Sequence, residues 1–290
     1  MPTPPTDDYA LLDSGNFRKL ERFGDIVLAR PCAQAIWRPT LPERTWQDAT
    51  ASFSREGQNR WVGRSRLPEH WEISVEGIRF QLRSTDFGHL GIFPEQRQQW
   101  VRIRDYCSAF LATHGRPARV INLFAYSGGS TLAATLGGAE VCHVDASKGM
   151  VDWARKNAAL NGWADKPVRW IIDDIFKFLE REQRRDRLYD LVLLDPPTYG
   201  RGAKGEVFKI EEALPKLLRT IHALMSDRAT AILLSCHTPE YTATALANLL
   251  AQEFGASGKL ESGEMLLEGA RALSIPSGTF GFWAADHAAR

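Results

Sequence analysis

The chain has 290 residues, with 36 Lys and Arg against 35 Asp and Glu, a net charge of +1, and 44% hydrophobic residues. That balance excludes an intrinsically disordered chain and gives no global electrostatic pull toward a polyanion. No apolar run approaches the roughly 20 residues a bilayer span requires, and the start Met1-Pro2-Thr3-Pro4-Pro5 has no signal-peptide character. The cysteines Cys32, Cys107, Cys142 and Cys236 lack CxxC spacing. The expectation is a cytoplasmic protein with no membrane partner and no structural metal.

Arg18 to Pro31 and Trp71 to Arg83 read as strands, with alternation in Trp71-Glu72-Ile73-Ser74-Val75 and Ile78-Arg79-Phe80-Gln81-Leu82. Trp37, Trp46, Trp61 and Trp71 crowd this region among Gly57, Gly63 and Gly77. Residues 1–93 are therefore expected to form a small, mainly β module. Within it Arg55, Arg60, Arg64 and Arg66 surround Trp61. That composition suits phosphate contacts with a base stacked on the ring, and equally a solvated arginine face. From Pro94 to Thr113, Trp100, Ile103, Cys107 and Phe110 recur at helical spacing.

From Ala118 the pattern becomes regular β–α alternation. Strands are expected at Val120 to Phe124, Glu140 to Val144, Trp170 to Ile172, Tyr189 to Leu194 and Ala229 to Ser235. Helices are expected at Gly128 to Leu136, after a Ser147 cap up to Gly162, through Phe178 and Leu179, at Ile210 to Leu224, and at about Glu240 to Phe254. Met265-Leu266-Leu267 and Phe280-Gly281-Phe282-Trp283 read as a closing hairpin. Residues 94–290 are thus expected to form an α/β, doubly wound domain, mainly parallel with an antiparallel edge.

The strand ends carry the chemistry. The first β–α turn, Asn122-Leu123-Phe124-Ala125-Tyr126-Ser127-Gly128-Gly129, lets backbone approach a ligand closely and opens a helix. It is not the GxGxxG of dinucleotide binders, because Phe124 and Tyr126 occupy two glycine positions. Asp145, with Ala146 and Ser147 beside it, ends the second strand where an acid accepts ribose hydroxyls. Asp173-Asp174-Ile175 ends the third, where a carboxylate accepts from an adenine amine. Each acid alone reads as a strand end or a helix cap; together they point to S-adenosylmethionine. Asp195 follows the unalternating run Leu191-Val192-Leu193-Leu194, and Pro196-Pro197 stiffens the turn to Thr198 and Tyr199. Asp-Pro-Pro-aromatic in this place is a signature of methyltransferases acting on nitrogenous bases. His143 reads as a core histidine.

Residues 120–236 resemble the class I methyltransferases that modify bases of large-subunit ribosomal RNA, specifically the cytosine-C5 group. The resemblance rests on the glycine loop from Asn122 to Gly129, on Asp173-Asp174-Ile175-Phe176-Lys177 and on Asp195-Pro196-Pro197-Thr198-Tyr199. Upstream, His89-Leu90-Gly91-Ile92-Phe93-Pro94-Glu95-Gln96-Arg97 is similar to the stretch preceding that family's catalytic domain. The resemblance implies a class I fold, S-adenosylmethionine as cofactor with Phe93 and Gln96 beside its methionine part, and an RNA substrate.

The expected acceptor is cytosine C5 of ribosomal RNA, with Cys236 as nucleophile. Cytosine C5 takes a methyl group only after a thiolate adds to C6, and Cys236 in Leu234-Ser235-Cys236-His237 resembles the family's Ser-Cys-Ser nucleophile segment. The following helix and His237 would lower its thiol pKa. The alternative is a base nitrogen, guanine N7 or an exocyclic amine, for which Asp195, Pro196, Pro197 and Tyr199 suffice. The threonine at position 198 favours that relative; Cys236 favours the first. Small-molecule methylation and a non-catalytic binding protein are the remaining readings. Arg201 and Lys204 are placed to clamp substrate backbone near a flipped base.

Overall fold

The computed structural model describes residues 7–57, 59–201, 207–226, 230–255 and 257–285. They fall into two compact units: residues up to Arg97 with Leu266–Ser277, and Gln98–Met265 with the residues from Gly278 onward.

The first unit is built on a five-stranded sheet in the order β1 (Tyr9–Gly15), β2 (Arg18–Phe23), β3 (Ile26–Pro31), β4 (Ala51–Ser54), β5 (Arg60–Val62). Only β3 and β4 pair in parallel, and the chain between them includes the short helix α1 (Glu43–Gln47). The segment from Arg18 to Pro31 folds as two antiparallel strands, with Gly24, at φ 65°, turning the chain between them. A separate hairpin joins β6 (Trp71–Val75) and β7 (Ile78–Leu82). Its Glu76-Gly77 turn has φ of 51° and 77°, the geometry that suits strand twist. Glu21, fully buried, is compensated by Arg30 at 2.7 Å, Lys19 at 3.2 Å and the Tyr9 hydroxyl at 3.1 Å. The segment Leu266–Ser277 is fastened here: Ser14 Oγ donates to the Leu273 carbonyl (3.1 Å), and the Leu11 carbonyl leaves no room for a Cβ on Gly269.

The second unit is a seven-stranded sheet in the order β10 (Val168–Ile172), β9 (Glu140–Asp145), β8 (Arg119–Leu123), β11 (Leu191–Leu194), β14 (Ala231–Cys236), β16 (Ile275–Ala284), β15 (Lys259–Leu267). The strands from β10 to β14 pair in parallel, and β16 runs antiparallel to β14. Helices α2 (Arg97–His114), α3 (Gly129–Leu136), α4 (Lys148–Leu160), α5 (Ile175–Arg184), α6 (Ile210–His222) and α7 (Ala243–Phe254) alternate with them. A small hairpin, β12 (Tyr199–Arg201) with β13 (Val207–Lys209), follows β11. This is the doubly wound class I architecture.

All four residues of β11 are buried, as an unalternating aliphatic run in a central parallel strand must be. Val192 and Leu194 form one core with Ile121 and Leu123 of β8, Ile232 and Leu234 of β14, and Phe178, Leu214, Leu218 and Leu246. At the amino end of β11, Asp190 is 1% exposed and holds three segments together. It accepts from both terminal nitrogens of Arg116 (2.7 and 2.9 Å), from the Arg119 amide (2.8 Å) and from Ser226 Oγ (2.9 Å).

Several boundaries differ from expectation for local reasons. Tyr189 makes only an isolated bridge to Met225, so β11 begins two residues later than its apolar pattern. The helix expected from Pro94 opens with a tight turn over Pro94–Gln96 before α2 begins. Ser147 occupies the N-cap of α4 but its side chain makes no capping bond. Among the described residues no helix is long and apolar enough to cross a membrane, and no three His, Cys, Asp or Glu side chains gather as metal ligands.

Candidate active site

The strand order reverses between β8 and β11, and doubly wound sheets hold their ligands at the carboxyl ends beside such a switch point. The polar residues picked out by sequence from the second unit collect on these ends. The first turn is strained: Phe124 and Tyr126 adopt φ of 57° and 51°, and Gly128 has φ of 94°. Non-glycine residues held there cost about 1–3 kcal/mol each and persist only where surroundings fix them. The surroundings are visible. The Ala125 amide donates to the Val144 carbonyl (3.1 Å), the Tyr126 amide to Asp145 Oδ2 (2.9 Å), and buried Asn157 donates to the Ser127 carbonyl (2.9 Å). Gly128 also faces Ala154, whose Cβ would stand 3.0 Å from a Cβ added there. Gly129 is packed tightly, since an added Cβ would lie 2.7 Å from the Trp100 ring.

Asp145 therefore has a structural task that its position in the sequence did not disclose. Its Oδ1 accepts from the Ser147 amide at 2.8 Å while Oδ2 holds Tyr126. Burial nevertheless raises its pKa above the ordinary carboxylate value, because those two amides only partly offset the lost water. Each oxygen keeps a further lone pair, so a ligand donating two hydroxyls would complete the compensation. That donor deficit, beside a loop held open by left-handed backbone, fits the ribose of a nucleoside cofactor.

The third strand end is more occupied than expected. Asp173 Oδ1 accepts from the Asp174 amide at 2.9 Å and its other oxygen pairs with Arg181. Asp174 caps α5, accepting from the Lys177 amide at 3.1 Å, and Ile175 is buried beneath it. Ala146 and Ser147 are exposed beside Asp145. Phe93 and Gln96 belong to the first unit, Phe93 leading into the Pro94–Gln96 turn and Gln96 buried.

At the end of β11, Asp195 is partly buried, with His237 Nε2 3.6 Å from its Oδ1. Pro196 is buried and Tyr199 is 50% exposed. Thr198 Oγ1 and Thr238 Oγ1 share a 2.7 Å hydrogen bond that ties the proline turn to the end of β14. Phe208 of β13 meets the Phe124 ring edge-on at 5.1 Å. The Cys236 thiol, expected to have a lowered pKa, is instead fully buried in the apolar core. Burial raises its pKa, with hydrogen bonds from Thr238 only opposing that rise. The physical reason is register, since Cys236 is still the last buried residue of β14 rather than the first residue beyond it.

Sequence reasoning missed the supports beneath the loop. Asn122 Nδ2 donates to Thr131 Oγ1 (2.9 Å), which contacts His143 Nδ1 at 2.9 Å. His143 is fully buried, its pKa pushed down to about 3 by burial, and its Nε2 has no hydrogen-bond partner among the described residues. No periodicity marks such a relay; two polar residues paired across neighbouring buried strands, Asn122 opposite His143, are the one signal available. In the first unit Trp61 donates to the Thr85 carbonyl (2.8 Å) and packs on Phe53, while Arg64 is committed to Ser84 and Asp86. Arg55 and Arg60 remain exposed. Lys204 lies outside the described residues, as does the side chain of Arg201.

The profile of the S-adenosylmethionine-dependent methyltransferases matches residues 51–256. The chain belongs to that family. Its cofactor is S-adenosylmethionine, and it is an enzyme of methyl transfer. A SAM-dependent methyltransferase from Agrobacterium tumefaciens is similar in structure, with a TM-score of 0.90 and 38% identity, over 96% of this chain and 91% of that one. Among curated relatives, the ribosomal RNA large subunit methyltransferase K/L of Pseudomonas putida is 32% identical over 68% of this chain and 25% of its own length. The enzyme of the same name from Pseudomonas paraeruginosa is 30% identical over 56% of this chain and 21% of its own. The chain thus spans about a quarter of the length of these curated relatives.

For this methyltransferase, replacing Asp145 by Ala is expected to weaken S-adenosylmethionine binding ten- to a hundredfold. Hydrogen bonds to a charged acceptor contribute about 1.5–3 kcal/mol, and the variant also releases the Tyr126 amide. Calorimetry checks this; unchanged affinity would remove Asp145 from the cofactor site.

Proposed function

We propose that the protein methylates a nitrogen of a base in RNA, with large-subunit ribosomal RNA, named in the relatives' description, as the substrate class. The observation that carries this reading is the contrast at the ends of β11 and β14. A partly buried carboxylate and an exposed aromatic ring flank a stiff proline turn, while the one candidate thiol is sealed in the core. A base stacked on Tyr199 presents its edge to Asp195. Asp195 accepts an N–H of the base, which raises electron density on the attacking nitrogen and orients its lone pair. The Pro196-Pro197 turn and the Thr198–Thr238 bond hold both groups in place. When bound, the cofactor supplies an electrophilic methyl group on a sulfonium. An exocyclic amine would pass the released proton to Asp195; guanine N7 has none to lose.

Cytosine C5 methylation is the second reading, favoured by the place of Cys236 at the end of the fifth strand of the parallel run. It requires the Cys236 thiolate to bond C6 in every turnover, and burial opposes that ionisation. Cys236→Ala and Cys236→Ser are therefore expected to keep turnover within a few-fold of the parent, with no covalent adduct on RNA bearing 5-fluorocytosine. A trapped adduct that disappears in Cys236→Ser, together with lost turnover, would return the assignment to cytosine C5.

A further inference from the structure

At the amino ends of β8, β9 and β10, opposite the carboxyl ends that bear the cofactor loop, the second unit holds a cavity of about 410 Å³. This volume lies in the range of small-molecule sites, and a bare inorganic anion would leave most of it empty. Its inner wall is apolar and closed: Val120, Val141 and Cys142 are buried, and Tyr189 donates to Glu182 behind them. Glu182 is fully buried and its charge is already met by Arg169 and Arg185. The rim is different. Arg119, Lys166 and Arg187 are exposed and form no ion pair among the described residues, and they outnumber the rim carboxylates Glu140 and Asp186.

The geometry points to a nucleotide site here, separate from the methyl-transfer edge: a base against the accessible apolar surface of Pro167, Val168 and Leu188, and its phosphate on Arg119, Lys166 and Arg187. Guanidinium groups are suited to both halves of such a ligand, stacking on planar rings and pairing bidentately with phosphate. Cys142 contributes an uncharged wall, its thiol pushed up to about 11 by burial. The nucleotide is either free or one unpaired residue of an RNA strand, and the same chemistry serves both. The site stands on the cavity and its charges, whatever atom is methylated at the other edge.

The test uses the full chain saturated with S-adenosylhomocysteine, so that the cofactor site is filled. Uridine 5′-monophosphate and a single-stranded uridine hexamer are titrated calorimetrically against the parent and the Lys166→Glu/Arg187→Glu double variant. The parent is expected to bind, and the double variant to bind at least tenfold more weakly with unchanged S-adenosylhomocysteine affinity. Equal binding of monophosphate and hexamer identifies a free nucleotide; hexamer binding more than tenfold tighter identifies an RNA strand. No binding of either probe to the parent, or equal binding of both proteins, overturns the site.

Discussion

Asp195→Ala is expected to lower methyl transfer at saturating cofactor by about a hundred- to a thousandfold while S-adenosylmethionine affinity stays within about threefold. A single preorganised electrostatic contact to the reacting group has that size in other enzymes. Asp195 makes its case by position: it follows a fully buried strand, sits partly buried beside His237, and is backed by two prolines that cannot yield. Tyr199→Ala should lower kcat/KM by roughly ten- to a hundredfold, since stacking of a base on an aromatic ring is worth about 1–3 kcal/mol. Tyr199→Phe should restore most of that loss, because the ring and not the hydroxyl does the stacking. Single-turnover assays with calorimetry in parallel separate the two quantities. If Asp195→Ala lost the cofactor yet turned over normally at saturation, Asp195 would belong to the cofactor site.

The residues proposed for this chemistry were legible in the sequence to different depths. The run Leu191 to Leu194 announced a central strand because burial on both faces removes alternation, and the carboxylate behind it could only fall at a ligand edge. The alternation of β–α units placed Asp145 and Asp174 on neighbouring strand ends in the same way. What a side chain bonds to was not legible. Asp145 and Asp174 spend part of their capacity on the Tyr126, Ser147 and Lys177 amides, bonds that depend on φ and ψ in turns with no periodic signature. Cys236 shows the limit from the other side. A shift of one residue decides whether a thiol ends a buried strand or begins an exposed loop, and side-chain composition does not resolve one residue. The β12–β13 hairpin escaped notice for a related reason, since its strands are three residues each.

The largest effect on stability is expected at Asp190. Removing its carboxylate in Asp190→Ala leaves the Arg119 amide and Ser226 without their acceptor and strips Arg116 of its partner. Breaking a buried pair typically costs 3–5 kcal/mol. Arg116 is partly exposed and can turn to water, so about 3 kcal/mol is expected, or a fall in unfolding temperature of roughly 5–10 °C. Burial alone would push the Asp190 pKa up, but Arg116, the Arg119 amide and Ser226 outweigh it and hold the pKa below the ordinary value. A group held lower in the folded than in the unfolded chain stabilises above its unfolded pKa, near 4, and loses that contribution as pH falls through the folded value. Calorimetric scans from pH 7 down to pH 3 should therefore show the parent losing stability below about pH 4. Asp190→Asn should start lower and fall less steeply. Parallel curves would show that Asp190 does not carry the acid sensitivity.

The segment Leu266–Ser277 is made late in the chain and yet completes the unit made first. During synthesis, the Ser14 hydroxyl and the Leu11 carbonyl wait for Leu273 and Gly269 until nearly the whole second unit has emerged. A chain beginning at Gln98 would carry the twelve residues Leu266–Ser277 without the strands they pack on.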